Sequence, residues 1–136
     1  MVVPKKEKYR KQFRGKMKGV AARGSWLAFG DFGLKAMGRS WLTECQLEAA
    51  RQAIVHKTKR EGKMWIRVVH DKPITNKPSG ATMGAGKGDI VGHVAVILPG
   101  RIIFEVGGLQ ESLAKEALRL AGCKLPFKTR IVGGNK

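Results

Sequence analysis

From Thr43 onward the apolar positions fall at helical spacing: Leu47, Ala50, Ile54 and Val55 share one face, with Thr58 following. Thr43 suits the N-cap, and Gln46 three residues on completes a capping-box pattern. A helix is therefore expected over residues 43–59, stopped by Gly62. A second helix is expected over residues 111–121, with Leu113, Ala117, Leu120 and Ala121 on its apolar face and Gly122 at its end. Residues 63–70 alternate as a strand does, with Met64, Ile66 and Val68 on one side and Trp65, Arg67 and Val69 on the other. Residues 90–98 and 101–106 read as two strands around Pro99-Gly100, expected to pair as an antiparallel hairpin. Proline cannot take the positive φ of the favoured two-residue turns, so a slightly longer loop with Gly100 left-handed is expected. Residues 127–132 read as a closing strand after Pro126. Near the other end, Leu27, Phe29 and Phe32 read as a short or bulged strand ending near Gly33, with Lys35 and Arg39 exposed. Residues 71–89, rich in Pro, Gly and Lys, read as a long loop, of the kind that in a small domain is functional or disordered.

Two helices against a mixed, mostly antiparallel sheet make an α+β fold. The chain has 136 residues, enough for one domain and too few for two ordinary ones. The expected organisation is a basic arm at residues 1–24 and a single α+β domain at residues 25–136, with the extended loop 71–89 inside it.

Charge narrows the function more than the elements do. Lys and Arg number 27 against 10 acids, a net charge of +17, and self-repulsion of that size opposes compaction. A polyanion partner removes the problem, so nucleic acid is the first expectation and an anionic membrane surface the second. The arm alone holds Lys5, Lys6, Lys8, Arg10, Lys11, Arg14, Lys16, Lys18 and Arg23 against Glu7. Its few large apolar residues cannot offset the entropy of ordering it alone. A solvated tail is the plainer interpretation; the sharper one is an arm that orders on a phosphate backbone, with Tyr9 and Phe13 available to stack on bases. Arg51, Lys57, Lys59 and Arg60 on the first helix suit the dipole at its C-terminal end. They are equally compatible with a solvated face and with an RNA-facing one.

No segment approaches the roughly 20 apolar residues of a membrane span. The N-terminus has no apolar run after its charges, so no secretory signal is expected. It is basic, but poor in Ser and interrupted by Pro4, which counts against a transit peptide. Cys45 and Cys123 stand in no CxxC and near no His at metal spacing, so free, packed thiols are expected.

Residues 78–90, PSGATMGAGKGDI, invite a nucleotide-binding reading, because Gly80, Gly84, Gly86 and Gly88 surround Lys87. A phosphate-binding loop needs Gly, four residues, then Gly-Lys-Ser/Thr, and must run from a strand into a helix. With Gly86-Lys87 fixing the frame, the first glycine position holds Ala81 and the hydroxyl position holds Gly88. The following IVGHVAVIL reads as a strand, so no bound nucleotide is expected. Catalysis has no better support. His56, His70 and His93 are scattered, and Asp31, Asp71 and Asp89 are lone acids suited to turns or charge balance. The dispersed cations of arm, helix and loop suit backbone and shape contacts rather than base reading. Glycines let the loop backbone come close to another chain, Lys87 adds a point charge, and Met83 an adaptable apolar contact.

Several stretches carry a family resemblance. Pro4-Lys5-Lys6, Tyr9-Arg10-Lys11 and Arg14-Gly15 resemble the opening of the sixteenth bacterial large-subunit ribosomal protein family. The similarity continues in Phe29-Gly30, Phe32-Gly33-Leu34, Leu42-Thr43 and Glu48-Ala49-Ala50-Arg51. Gly62-Lys63-Met64-Trp65-Ile66-Arg67-Val68 and Asp71-Lys72-Pro73-Ile74-Thr75 are its most specific parts. Lys77-Pro78, Met83-Gly84, Gly86-Lys87-Gly88, Lys124-Leu125-Pro126 and Lys128-Thr129 complete it. The resemblance implies an α+β protein of the large ribosomal subunit that binds its ribosomal RNA beside neighbouring ribosomal proteins and assists late assembly. It implies that Lys5, Lys6, Lys8, Arg10, Lys11, Arg14, Lys16, Lys18, Arg23, Arg51, Lys59, Arg60, Lys63 and Arg67 face ribosomal RNA. It further implies that the loop with Lys77, Thr82, Met83, Gly84, Gly86, Lys87 and Gly88 lies near bound transfer RNA, close to the peptidyl-transferase region. No cofactor, metal, small-molecule substrate, membrane or catalysis is implied. The chain starts where the family does, which fits a bacterial cytoplasmic or organelle-encoded ribosome. Two departures stand out. Thr82 occupies a place where relatives commonly carry Arg, and Val91-Gly92-His93 replaces a common aromatic pair. The competing expectation is a general basic architectural protein for nucleic acid.

Overall fold

The structure, a computed structural model, describes residues 4–77, 80, 84 and 86–133. In chain order the elements are β1 (Phe32–Ala36), β2 (Ser40–Thr43), α1 (Glu44–Thr58), β3 (Lys63–Ile66), β4 (Lys72–Asn76), β5 (Asp89–Ile97), β6 (Ile102–Gly107), α2 (Glu111–Gly122) and β7 (Thr129–Gly133). The class is α+β as expected. The strands form two sheets rather than one, ordered β3-β6-β1-β7 and β2-β5-β4. Among the described residues every strand pairing is antiparallel.

The core forms where the helices, packed on each other, meet these sheets. Leu34 and Phe104 pair across β1 and β6, and Leu34 reaches the end of α2 at Gly122. Leu47, Ala50 and Ile54 of α1 and Ala114, Ala117, Leu118 and Ala121 of α2 complete it. Each fully buried Leu, Ile or Phe contributes about 1.5–3 kcal/mol. Leu113 and Leu120 are only half-buried, so the inward face of α2 is rotated from the one expected, toward Ala114 and Leu118.

The start of α1 is fixed locally. The Thr43 hydroxyl accepts from the Gln46 N–H at 3.3 Å, and the Gln46 side chain accepts from the Thr43 N–H at 3.0 Å. Thr43→Ala is expected to lower stability by about 1 kcal/mol. The check is a lower urea midpoint at unchanged slope. The end differs from expectation. Lys59 and Arg60 take left-handed backbone, φ 52° and 63°, and stop the helix before Gly62. Gly62 instead permits close approach to β6, since a Cβ there would stand 2.5 Å from the Gly107 carbonyl oxygen.

Further expectations change. The early strand begins at Phe32, not near Leu27, because residues 27–30 fold back over the sheet. Leu27 lies over Gly33, where a Cβ would come within 2.5 Å of it. Lys35, within β1, is half-buried rather than exposed, while Arg39 is exposed. The expected hairpin is absent: β5 pairs with β2 and β4, whereas β6 pairs with β1 and β3. Gly100, at φ 98°, turns the chain from one sheet to the other, and its N–H donates to Ala36 rather than across a hairpin. The expected loop 71–89 is shortened at both ends, because Lys72–Asn76 forms an edge strand on β5 and β5 itself begins at Asp89. Pro73 is tolerated there because an edge strand leaves one side unpaired. Strand β3 stops at Ile66, short of the expected residue 70. Cys45 and Cys123 are free as expected, but both are exposed rather than packed.

Candidate nucleic-acid interface

Residues 4–31 contain no helix or strand, yet the body holds this segment at several points. The grip falls mainly on backbone. Lys72 Nζ donates to the Arg14 carbonyl and Lys87 Nζ to that of Gln12. Arg39 donates to Gly19 at 2.9 Å and Arg101 to Arg23 at 3.3 Å. The Ala21 N–H donates to Pro99, and the Ile102 N–H to Gly24, both at 2.8 Å. One side-chain pair adds to these, Glu7 with His93 at 2.7 Å. Because most attachment points are on the backbone, most of the arm's cations stay free, the exception being Lys11, whose Nζ donates to the Lys87 carbonyl at 3.3 Å. Lys5, Lys6, Lys8, Arg10, Arg14, Lys16, Lys18 and Arg23 are all exposed, and Lys11 is half-buried. Tyr9 and Phe13 are exposed as well, each with an ammonium over its ring, Lys8 at 5.6 Å and Lys87 at 6.0 Å.

The cations of α1 divide. Arg51 is engaged by Glu48 one turn earlier, its Nε donating at 2.9 Å. Lys59, Arg60 and Lys63 are exposed where the helix turns into β3.

Arg67 has a different occupation. Its side chain is 18% exposed and donates to Glu105, which is fully buried in the centre of β6. The other Glu105 oxygen accepts the N–H groups of Ala28, Phe29 and Gly30 at 2.9, 3.0 and 3.1 Å. Arg67 also donates to the Trp26 carbonyl and lies 5.3 Å from the Phe29 ring centre. Burial by itself pushes the Glu105 carboxyl up, but the Gly30 amide, the Arg67 guanidinium and the Phe29 and Ala28 amides together hold it below its ordinary value. This carboxylate therefore fixes the backbone of residues 28–30 against the sheet. Sequence reasoning passed over it. The signal was one acid inside the otherwise apolar run Ile102-Ile103-Phe104-Glu105-Val106.

In the loop, Gly84 and Gly86 are exposed with φ of 91° and 92°, and Lys87 is exposed. Lys77 is half-buried. Gly88 serves the fold, since a Cβ there would stand 2.5 Å from the Asn76 carbonyl. Thr82 and Met83 lie outside the described residues. Strand β5 starts at Asp89, directly after the glycines, so the helix N-terminus that a nucleotide loop requires is replaced by a strand. No described helix is long and apolar enough to cross a membrane.

An antiparallel α+β body carrying a backbone-anchored, cation-rich arm defines a basic protein built to face a polyanion. The chain matches the family "Ribosomal protein L16p/L10e" over residues 4–132, and it belongs to that family. It is 58% identical to the "Large ribosomal subunit protein uL16" of Kosmotoga olearia over 97% of this chain and 94% of the relative. The protein of the same name from Thermus thermophilus is 54% identical over 97% of this chain and 94% of its own length. That of Thermosipho melanesiensis is 53% identical over 97% and 93%. The chain is thus a structural constituent of the ribosome, of the large-subunit class for which these relatives are named; bacterial members work in the cytoplasm.

Proposed function

We propose that the chain anchors to large-subunit ribosomal RNA through its arm and the cations that follow α1. Lys5, Lys6, Lys8, Arg10, Lys11, Arg14, Lys16, Lys18 and Arg23 neutralise backbone phosphates, with Arg51, Lys59, Arg60 and Lys63 forming a second group. Arg67 acts from behind, by holding Glu105. The observation that carries this reading is the manner of attachment: the arm is held mainly by its carbonyls, which leaves its cations other than Lys11 free for phosphate. The loop with Lys77, Thr82, Met83, Gly84, Gly86, Lys87 and Gly88 then lies near transfer RNA close to the peptidyl-transferase region. There it supports translation and late subunit assembly.

Co-sedimentation with large subunits at low and moderate salt tests the anchor. A chain that stays free of ribosomes under both conditions sinks it. Equal affinity for duplex DNA and structured ribosomal RNA favours the general architectural alternative. For the loop, Lys87→Glu is expected to leave the isolated fold nearly intact, since Lys87 is exposed and lies outside the core, although it gives up one contact with the arm at the Gln12 carbonyl. In a cell depleted of the natural chain, the variant slows transfer RNA accommodation or late assembly, read as translation rate and subunit profile. An unchanged rate refutes the loop's role.

A further inference from the structure

Between arm residues 12–17, the segment 68–72 and β5 lies a cavity of about 610 Å³. Four cations line it, Arg14, Lys16, Lys72 and Arg101, against one acid, Asp71, among the described lining residues. Lys72 is only 8% exposed. Its ammonium donates to the Arg14 carbonyl and stands 4.7 Å from the Trp41 ring centre. Arg101 donates to the carbonyls of Arg67, at 2.7 Å, and Arg23. Among the described residues no carboxylate makes an ion pair with either.

Burial pushes the Lys72 ammonium below its ordinary pKa, and Arg14 and Lys87 push it further. Burial likewise lowers Arg101, with Arg67 adding to the effect and Asp71 opposing it. A buried Lys72 and a half-buried Arg101, held by carbonyls and, for Lys72, the Trp41 ring, with more cations beside them and no carboxylate partner, are destabilising in the free protein. A pocket of this kind becomes favourable once an anion enters, because one phosphate oxygen set can accept from several of these donors at once. Neither Lys72 nor Arg101 stood out in the sequence as a binding residue, since Lys72 sat in an expected loop and Arg101 beside a turn.

We propose that this cavity is a seat for one phosphodiester group of RNA, held chiefly by Lys72 and Arg101 with Arg14 and Lys16 at its arm side. The proposal rests on the RNA-anchoring reading above and goes beyond it: the cavity is a defined open cleft between the arm and the body, rather than part of a diffuse exposed surface. The arm is then locked over the phosphate it helps to bind.

The test uses the full chain and Lys72→Met, which keeps the apolar stem over Trp41 and removes the charge. Lys115→Met, on α2 where Lys115 pairs with Glu111 and does not line the cavity, is the control. The free Lys72→Met protein is expected to melt at the wild-type temperature or above it. Its affinity for large-subunit ribosomal RNA is expected to fall about tenfold at moderate salt. The slope of log affinity against log salt is expected to shrink by about one unit. Inorganic phosphate is expected to raise the melting temperature of wild type above that in chloride of equal ionic strength, and not that of the variant. Unchanged RNA affinity and slope in Lys72→Met overturn the proposal. So does a lower melting temperature with RNA binding reduced only in proportion to unfolding, which marks a purely structural lysine. Phosphate stabilisation without any RNA effect assigns the cavity to a free anion and also overturns it. Should Lys72→Met fail to fold, Arg101→Met, which removes the other chief donor and lies outside the arm, replaces it with the same expected slope. Absence of salt-dependent RNA binding by wild type itself is a failure of the anchoring reading, distinguishable because it precedes any variant.

Discussion

Glu105→Ala is expected to lower the stability of the free protein by about 3–5 kcal/mol, because it removes one partner of a buried charge network. The carboxylate is fully buried, and its loss leaves the Arg67 guanidinium and the amides of Ala28, Phe29 and Gly30 without their acceptor. Glu105→Gln keeps the volume and one oxygen acceptor, and is expected to fall between the two. Urea denaturation reads both. A wild-type midpoint for Glu105→Ala shows that the network contributes nothing. The pH dependence gives a second signature. The folded-state pKa of Glu105 lies below the ordinary value of 4.5, so its stabilisation is complete above that value. It is lost as pH falls through the depressed folded value. Stability of the wild-type chain is therefore expected to drop in acid below about pH 4.5 more steeply than that of Glu105→Gln, which has no proton to gain there.

Removing residues 1–14 is expected to abolish most of the RNA affinity and incorporation into the subunit. The deletion takes away Lys5, Lys6, Lys8, Arg10, Lys11 and Arg14. If each of these six neutralises one phosphate, the salt slope shrinks by about 4–5 units. The wild-type chain should lose about three decades or more of affinity between about 50 and 200 mM salt, and the truncated chain far less. The fold should survive, because the anchors at Gly19, Ala21, Arg23 and Gly24 remain and the core draws nothing from the deleted segment. A melting curve checks that. Undiminished slope in a folded truncation rules out the arm as the main phosphate contact. Lys72→Met leaves the exposed cations of the arm in place and so isolates the cavity, whereas the deletion removes the exposed cations together with Arg14 at the cavity's edge.

Much of this was legible in the linear pattern, for identifiable reasons. Capping boxes and helical periodicity are local, so Thr43, Gln46 and the Leu47–Ala50–Ile54 face located α1 nearly to the residue. The charge excess is a property of composition, and it pointed to a polyanion before any element was placed. The family stretches, read in order, agreed with the comparisons. Two errors had a common origin in local signals. Lys72–Asn76 was read as loop because Pro73 and the following glycines advertise turns, although an edge strand accepts proline. Leu27 and Phe29 look like strand because apolar residues alternate with glycines there, although Glu105 instead holds residues 28–30 as a loop over the sheet and the strand begins only at Phe32.

The sequence by itself determined the helices, the approximate strands, the polyanion partner and the family. Only the tertiary structure decided which strands pair, that β5 and β6 part into separate sheets, and that Arg67 turns inward to a buried carboxylate. It alone decided that Lys72 and Arg101 share a cavity with Arg14. The reason is physical. Helical spacing and caps act between residues three or four apart, whereas strand partners and buried charges are chosen by groups distant along the chain. Arg67 and Lys63 look alike as basic residues of one strand-like stretch. Arg67 differs because Glu105, on a neighbouring strand, is placed where it can receive it.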